Sequence, residues 1–366
     1  MKNIIIVVQF LNIICFISCI NVRSANDTLV SVAVLFRHGD RAPKTSFPND
    51  EYYDLSYWPM GYKQLTNRGK QRHLELGKWF RNRYDSFLPD IYSPDDIYVR
   101  SSDVDRTLMS AAVNLAGLYP PAASQVFDEG LNWQPVPIHT LPKKKDFVIS
   151  MKKKCKKYNK ELAKMDTEEF FVNINEQNSE LYEYISNQTG WEVDDISYIK
   201  TLQSNFYTYG TYNSSFIPSW ADNLDQDLID YLAGAAFAKD TYTKELKRLR
   251  IGPFFYYLFE QFDNVIGGDE DTAKFLMLSG HESTIAAVLN GMGTFDYMPP
   301  EFASVVIWEL RQDGSGDYYI NMFYKKEASI AQISVDGCQF DCNYDDFKNL
   351  LDPITVSEDD WESECG

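Results

Sequence analysis

The segment Thr28–Phe36 (TLVSVAVLF) is apolar and β-branched, and it runs directly into Arg37-His38-Gly39-Asp40-Arg41. A run with no polar side has no face to offer water, so it reads as a buried central strand that delivers a charged loop at its C-terminal end. The same unit recurs late in the chain. Phe275–Leu278 is a short apolar strand that ends in Ser279-Gly280-His281-Glu282, followed by a helix from Ser283 to Leu289. Two strand–loop–helix units predict an α/β sheet with a site at the strand ends. That arrangement brings His38 and His281 into one crevice.

The remaining elements fill in around this frame. Leu65–Tyr84 is an amphipathic helix with Leu74, Leu76, Trp79 and Phe80 on its apolar stripe, and His73 lies on it as a surface or packing residue. Ile97–Arg100 is a short strand, and Ser102-Asp103-Val104-Asp105 reads as the cap of a helix through Leu118. Residues 143–231 differ in composition, rich in Lys, Glu, Asn and Tyr, and read as a mostly helical insertion. Helices follow over Tyr231–Leu249 and Phe254–Phe262. Ser304–Arg311 and Asp317–Lys325 form a hairpin around Asp313-Gly314-Ser315-Gly316. The acidic tail from Gly337 reads as loop.

Compartment and partners follow from the N-terminus, the charge and the cysteines. Lys2 precedes a nearly continuous apolar run from Ile4 to Ile20, and Val22-Arg23-Ser24 offers small residues for cleavage after Ser24. This is the pattern of a signal peptide over residues 1–24, leaving 25–366 as a secreted, extracellular chain with no membrane span. The net charge is −18, which opposes binding to nucleic acid or anionic lipid, so any anion site must be a local cluster of basic groups. Cys15 and Cys19 depart with the leader. Cys155, Cys338, Cys342 and Cys365 remain as an even set, which reads as two disulfides. His38, His73, His139 and His281 do not stand at ligand spacing from these cysteines, so no metal and no cofactor is expected. Sequons occur at Asn26, Asn187 and Asn213, with Asn187 and Asn213 the expected glycosylation sites.

Two arginines bracketing a histidine after a buried strand suit a phosphoryl group. Guanidiniums offer paired donors to phosphate oxygens, and an imidazole nitrogen can attack phosphorus. Phe36-Arg37-His38-Gly39-Asp40-Arg41-Ala42-Pro43 resembles the signature of histidine acid phosphatases of the prostatic and lysosomal type. Trp58-Pro59-Met60-Gly61 with Gln64-Leu65-Thr66, Arg100–Ala111, Trp133-Gln134-Pro135, His139-Thr140-Leu141-Pro142, Pro218-Ser219-Trp220-Ala221 and Asp360–Cys365 resemble further family segments. The resemblance implies a doubly wound α/β core with a helical cap and His38 as a nucleophile that becomes phosphohistidine. It further implies Arg37, Arg41, Arg106 and His281 as phosphate ligands, disulfides Cys155–Cys365 and Cys338–Cys342, and a possible homodimer. His73 and His139 receive no catalytic role.

One position departs from the family. Its second motif is His-Asp, whose aspartate protonates the leaving oxygen, whereas this chain has His281-Glu282. A donor displaced by about 1 Å can lose about 10²-fold in rate. The departure resembles the acid-phosphatase-like salivary proteins of blood-feeding insects, and the favoured expectation is a secreted binder with impaired turnover. It would sequester small mediators such as biogenic amines against the insertion's aromatics, Tyr182, Tyr184, Trp191, Tyr198, Phe206, Tyr207, Tyr209 and Tyr212. The alternative is an active acid phosphatase that hydrolyses phosphomonoesters with Glu282 as proton donor.

Overall fold

A computed structural model describes residues 27–366, so the expected signal peptide, Cys15, Cys19 and Asn26 lie outside the described residues. The strands are β1 (Thr28–Arg37), β2 (Ile97–Ser102), β3 (His139–Leu141), β4 (Phe275–Gly280), β5 (Val305–Gln312), β6 (Tyr318–Lys325), β7 (Ile330–Ile333) and β8 (Cys342–Asn343). They form one mixed sheet in the order β3-β2-β4-β1-β5-β6-β7, with β8 paired to β6. The β3-β2-β4-β1 half is parallel and the β1-β5-β6-β7 half antiparallel. The apolar run of β1 thus lies at the centre, as its composition demands. Val32, Val34 and Phe36 pack on one face of the sheet and Ala33 and Leu35 on the other. Helices cover both faces, which is the doubly wound arrangement.

The helices are α1 (Asn67–Arg83), α2 (Asp105–Leu118), α3 (Lys156–Lys164), α4 (Glu169–Gln177), α5 (Ser179–Thr189), α6 (Ile196–Tyr212), α7 (Gln226–Lys239), α8 (Lys244–Gly267), α9 (Glu282–Gly291), α10 (Tyr344–Leu351) and α11 (Glu358–Cys365). Helices α3–α6 occupy the compositionally distinct stretch. Their apolar residues join the same core cluster as β1, β4 and α8.

Several elements differ from the sequence reading, among them the helix expected over Tyr231–Leu249, which is divided between α7, ending at Lys239, and α8, starting at Lys244. The break expected before Phe254 is absent, because α8 continues through Pro253. A proline inside a helix frees the carbonyl four residues back. Here that carbonyl, on Leu249, accepts a hydrogen bond of 2.8 Å from Trp361 Nε1, so the helix carries no unpaired acceptor at that point. The acidic tail holds β8 and two helices rather than loop. Asp345 and Asp346 open α10, and Glu358, Asp359 and Asp360 open α11, where carboxylates favour the positive helix end. Ser102 does not cap α2, whose N-cap is Val104 with no side-chain bond. The Ser102 hydroxyl is instead held by Thr107 and His281.

Disulfides join Cys155 to Cys365 and Cys338 to Cys342. The first closes a loop of 210 residues and fastens α11, with Trp361, beside α3 and α8. Such bonds fit an extracellular or lumenal protein. Among the described residues no helix is long and apolar enough to cross a membrane, and no group of His, Cys, Asp and Glu is placed to hold a metal ion. Asn187 lies exposed on α5, and exposed Asn213 follows α6, its side chain accepting from the Ser215 backbone.

Candidate active site

Parallel pairing of β1 with β4 sets Arg37 opposite Gly280, so the chain leaves both strands side by side carrying His38 and His281. Their ring centroids are 5.7 Å apart. Behind the loop, α1 approaches so closely that a side chain at Gly39 would meet the Gly69 carbonyl oxygen at 2.4 Å. Glycine at both positions lets the helix and loop touch backbone to backbone. Asp40 faces away from the crevice and pairs with Arg72 (2.8 Å), while its carbonyl accepts from Thr66 N. His73, read as a surface or packing residue, is fully buried beneath the loop and donates from Nε2 to the Arg37 carbonyl at 3.2 Å. It is a strut for the cradle.

The crevice itself is dominated by cations. Arg37, the last residue of β1, pairs with Glu282, donates to the Pro300 carbonyl and lies 4.0 Å over the Phe302 ring. Arg41 is buried and reaches Ser204 Oγ on α6 at 2.8 Å. Arg106 enters from the first turn of α2 and donates to His281 Nδ1 at 3.4 Å. The Nε atoms of all three guanidiniums are buried with no partner among the described residues. Burial, helped by the neighbouring charges of Arg37 and Arg106 and opposed by Glu282, pushes Arg41 down to about 9.

His38 is poised differently from its neighbours. Its Nδ1 lies 2.8 Å from the Gly39 carbonyl, which fixes the proton there and leaves Nε2 with a bare lone pair. That Nε2 is buried and has no partner. Burial, then Arg106, Arg37 and His281, hold the imidazole neutral by pulling its pKa well below the ordinary value. His281 uses both nitrogens, Nε2 donating to Ser102 Oγ at 2.9 Å and Nδ1 facing Arg106. Of the two imidazoles in the crevice, His38 therefore offers the available nucleophile.

Glu282 is the first residue of α9, one earlier than the helix start read from sequence. Its carboxylate is clamped between Arg37 and Lys44, the latter 2.7 Å from Oε1. Against the upward push of burial, Arg37 first, then Lys44 and Arg41, hold its pKa well below the usual carboxylate range. Burial pulls Lys44 itself down to about 7. The site is thus a neutral nucleophilic imidazole inside a cluster of guanidiniums, with an ionised carboxylate at its rim. Such a set can bind a phosphoryl group, attack it and spread its charge over fixed donors.

The sequence-expected residues Arg37, His38, Arg41, Arg106, His281 and Glu282 all meet here. Lys44 and Phe302 were not singled out by the sequence, and Ser102 was read there only as part of a helix cap. Lys44 follows Pro43 directly, and its charge one step past the loop was the available signal. Tyr207 stacks on Phe302 at 5.0 Å and is the one insertion aromatic at this rim, whereas Tyr182, Phe206 and Tyr209 are buried in packing.

The fold agrees with what known proteins show. Residues 28–325 match the sequence model of the Histidine phosphatase superfamily (branch 2), and the chain belongs to that family. It is 33% identical to a lysosomal acid phosphatase of Xenopus laevis over 341 residues, covering 91% of this chain and 78% of that protein. It is 32% identical to a prostatic acid phosphatase of Rattus norvegicus, covering 91% of this chain and 88% of that one. The structure of the Hafnia alvei phytase in complex with tartrate superposes with a TM-score of 0.71 at 16% identity, over 91% of this chain and 98% of that one. That of the Bifidobacterium longum multiple inositol polyphosphate phosphatase with inositol hexasulfate gives 0.59 at 13%, over 93% and 96%. Both likenesses concern the fold.

Keeping three histidines neutral links stability to pH. His38 and His281 have pKa values well below 6.5, and His73 is lowered to about 3, in each case chiefly by burial. The unfolded chain therefore takes up protons below about pH 6.5 while the native state does not. Stability is full above that pH and should fall by about 1.4 kcal/mol per pH unit for each histidine as the medium turns acid. Thermal melts should show Tm dropping from pH 6.5 to 4.5, with a smaller drop in His73→Gln. A flat Tm would contradict neutral burial.

Proposed function

We propose that the chain is a phosphatase of the acid-phosphatase type that forms a covalent phosphohistidine at His38, with turnover governed by Glu282. The carrying observation is the unpartnered Nε2 lone pair of a buried neutral His38 among three guanidiniums. In this reading Nε2 attacks phosphorus and the bond to the leaving oxygen breaks, that oxygen keeping the electron pair. Arg37, Arg41 and Arg106 hold the phosphoryl oxygens. Water then displaces the imidazole and releases phosphate. An ionised Glu282 serves the second half well, as a base for that water. It serves the first half poorly, because a carboxylate held ionised has no proton to give to an alkoxide.

The charge of the crevice also speaks against the amine-sequestering expectation there. A cationic amine would enter a pocket holding Arg37, Arg41, Lys44 and Arg106 against the one carboxylate Glu282. A cleft of about 630 Å³ beside α4 and α7 does hold Asp166, Asp194 and Asp195 with Phe171 and Tyr198, but Lys239 already occupies Asp166 and Asp195. Likeness to salivary binders then rests on sequence resemblance alone. Secretion remains part of the proposal, supported by the leader-like N-terminus and the two disulfides.

Rapid acid-free denaturation during turnover of p-nitrophenyl phosphate should trap phosphate on the protein as an acid-labile, base-stable adduct that maps to His38. A protein that hydrolyses the ester without any such adduct would overturn the covalent reading.

A further inference from the structure

Beside the reaction centre lies a second cavity of about 250 Å³ that the phosphoryl cradle does not use. It shares Lys44, Ser204 and Glu282 with the crevice and extends between the Lys152 loop, α6 and α8. Lys44, Lys152, Lys200 and Arg250 line it, against Glu282 and Asp240. Glu282 is already matched by Arg37, and Asp240 stands 3.9 Å from Arg250. The cations therefore outnumber the acids that face them. Lys152 makes no ion pair, and Arg250 Nε is buried without a partner, among the described residues. Burial first, then Arg250, and to a lesser degree Lys143 and Lys200, lower the Lys152 ammonium against the opposing pull of Asp240, so positive charge prevails around it. In a chain of net charge −18, such an excess is local and specific. One helix end points the same way: Ser283, in the first turn of α9, lines the cavity.

We infer that this cavity receives the leaving group, and that the leaving group is itself a phosphate: the preferred substrates are phosphoanhydrides such as pyrophosphate and short linear polyphosphates, rather than phosphate esters of aliphatic alcohols. This rests on the phosphohistidine reading above and names its substrate class. Two independent observations meet in it. The cavity offers cations where the departing group must sit, and the carboxylate at its rim is held ionised, so the departing oxygen must leave without a proton. An aliphatic alkoxide is about as basic as hydroxide and leaves badly in that state, whereas a phosphate ionises for the second time near pH 6. The step balances without a proton donor. The His38 Nε2 lone pair forms the N–P bond to the terminal phosphorus, and the bridging P–O bond breaks. Its electron pair stays on the departing phosphate, whose added charge Lys44, Lys152, Lys200 and Arg250 neutralise. In the second step water attacks phosphorus, Glu282 takes its proton, and the N–P electron pair returns to His38.

The test compares kcat/KM for tripolyphosphate, glycerol 3-phosphate and p-nitrophenyl phosphate at acid pH. The second needs a proton on its leaving oxygen; the third does not, but brings no second anion. Tripolyphosphate should exceed glycerol 3-phosphate by about 10²-fold or more. In Lys152→Ala/Lys200→Ala, the ratio of tripolyphosphate to p-nitrophenyl phosphate should fall about tenfold, and the wild-type ratio should shrink with added salt. The p-nitrophenyl phosphate arm guards against a misfolded variant, since general damage lowers both rates and leaves the ratio intact. Glycerol 3-phosphate turned over as fast as tripolyphosphate, or a ratio unmoved by the double substitution, overturns the substrate class alone. Loss of turnover on all three, with no phosphoenzyme, overturns the phosphatase reading with it.

Discussion

His38→Ala should lower kcat for p-nitrophenyl phosphate by at least about 10⁴-fold while orthophosphate still binds. The size follows from the absence of a substitute. His281 is the other imidazole in the crevice, but its Nε2 donates to Ser102 and its Nδ1 faces Arg106, so it has no lone pair aimed at phosphorus. Lys44 is engaged with Glu282, and the guanidiniums are not nucleophiles. Binding should persist because the charge that holds phosphate resides on Arg37, Arg41 and Arg106, whose positions depend on β1, α6 and α2 rather than on the imidazole. His38→Asn, which can keep a hydrogen bond to the Gly39 carbonyl, separates chemistry from loop collapse. Calorimetry with orthophosphate and single-turnover assays on both variants provide the measurement. Activity within tenfold of the wild type would place the nucleophile elsewhere.

Much of this site was legible because its residues lie at the ends of strongly patterned segments. The run Thr28–Phe36 could only be a central strand, and β1 sits between β4 and β5 as that reading requires. From there, the meeting of His38 with His281 follows from parallel pairing of two strands that each end in a histidine loop. What stayed hidden was set by contacts between distant segments. Nothing on α1 distinguishes a buried His73 from an exposed one, because its partner is a carbonyl 36 residues away. Pro253 reads as a helix break unless Trp361 is known to satisfy the Leu249 carbonyl. Ser102 looks like a helix cap, yet a histidine from β4's loop claims its hydroxyl. The acidic tail illustrates a different failure. Carboxylates in a row suggested a solvated loop, whereas their position at two helix starts makes them favourable first-turn residues. Glu282 was recognised as the decisive departure, but as a matter of side-chain length. Its electrostatic surroundings, and above all Lys44, required the three-dimensional arrangement.

Lys44→Met should raise kcat for glycerol 3-phosphate by about tenfold and move the alkaline limb of its pH profile upward. Of the cations that hold Glu282 ionised, Arg37 and Lys44 touch its carboxylate, and these two do not behave alike once substrate arrives. Arg37 points into the cradle, so a bound phosphoryl group draws on its guanidinium and adds negative charge near the carboxylate. Lys44 sits at the rim, 2.7 Å from Oε1, and keeps its grip in the complex. Removing its charge lets the Glu282 pKa climb, so a larger fraction carries a proton at any acid pH. The sign is then fixed: the protonated form is the donor, its population grows, and the reaction that needs a donor speeds up. Hydrolysis of p-nitrophenyl phosphate, whose leaving group departs unaided, should change far less in kcat. Tripolyphosphate should lose affinity, since Lys44 also lines the leaving-group cavity. Lys44→Arg keeps the charge and should show no gain with glycerol 3-phosphate. A fall in kcat for Lys44→Met with that ester would mean that the ammonium, lowered to about 7, supplies the proton itself and Glu282 only orients it.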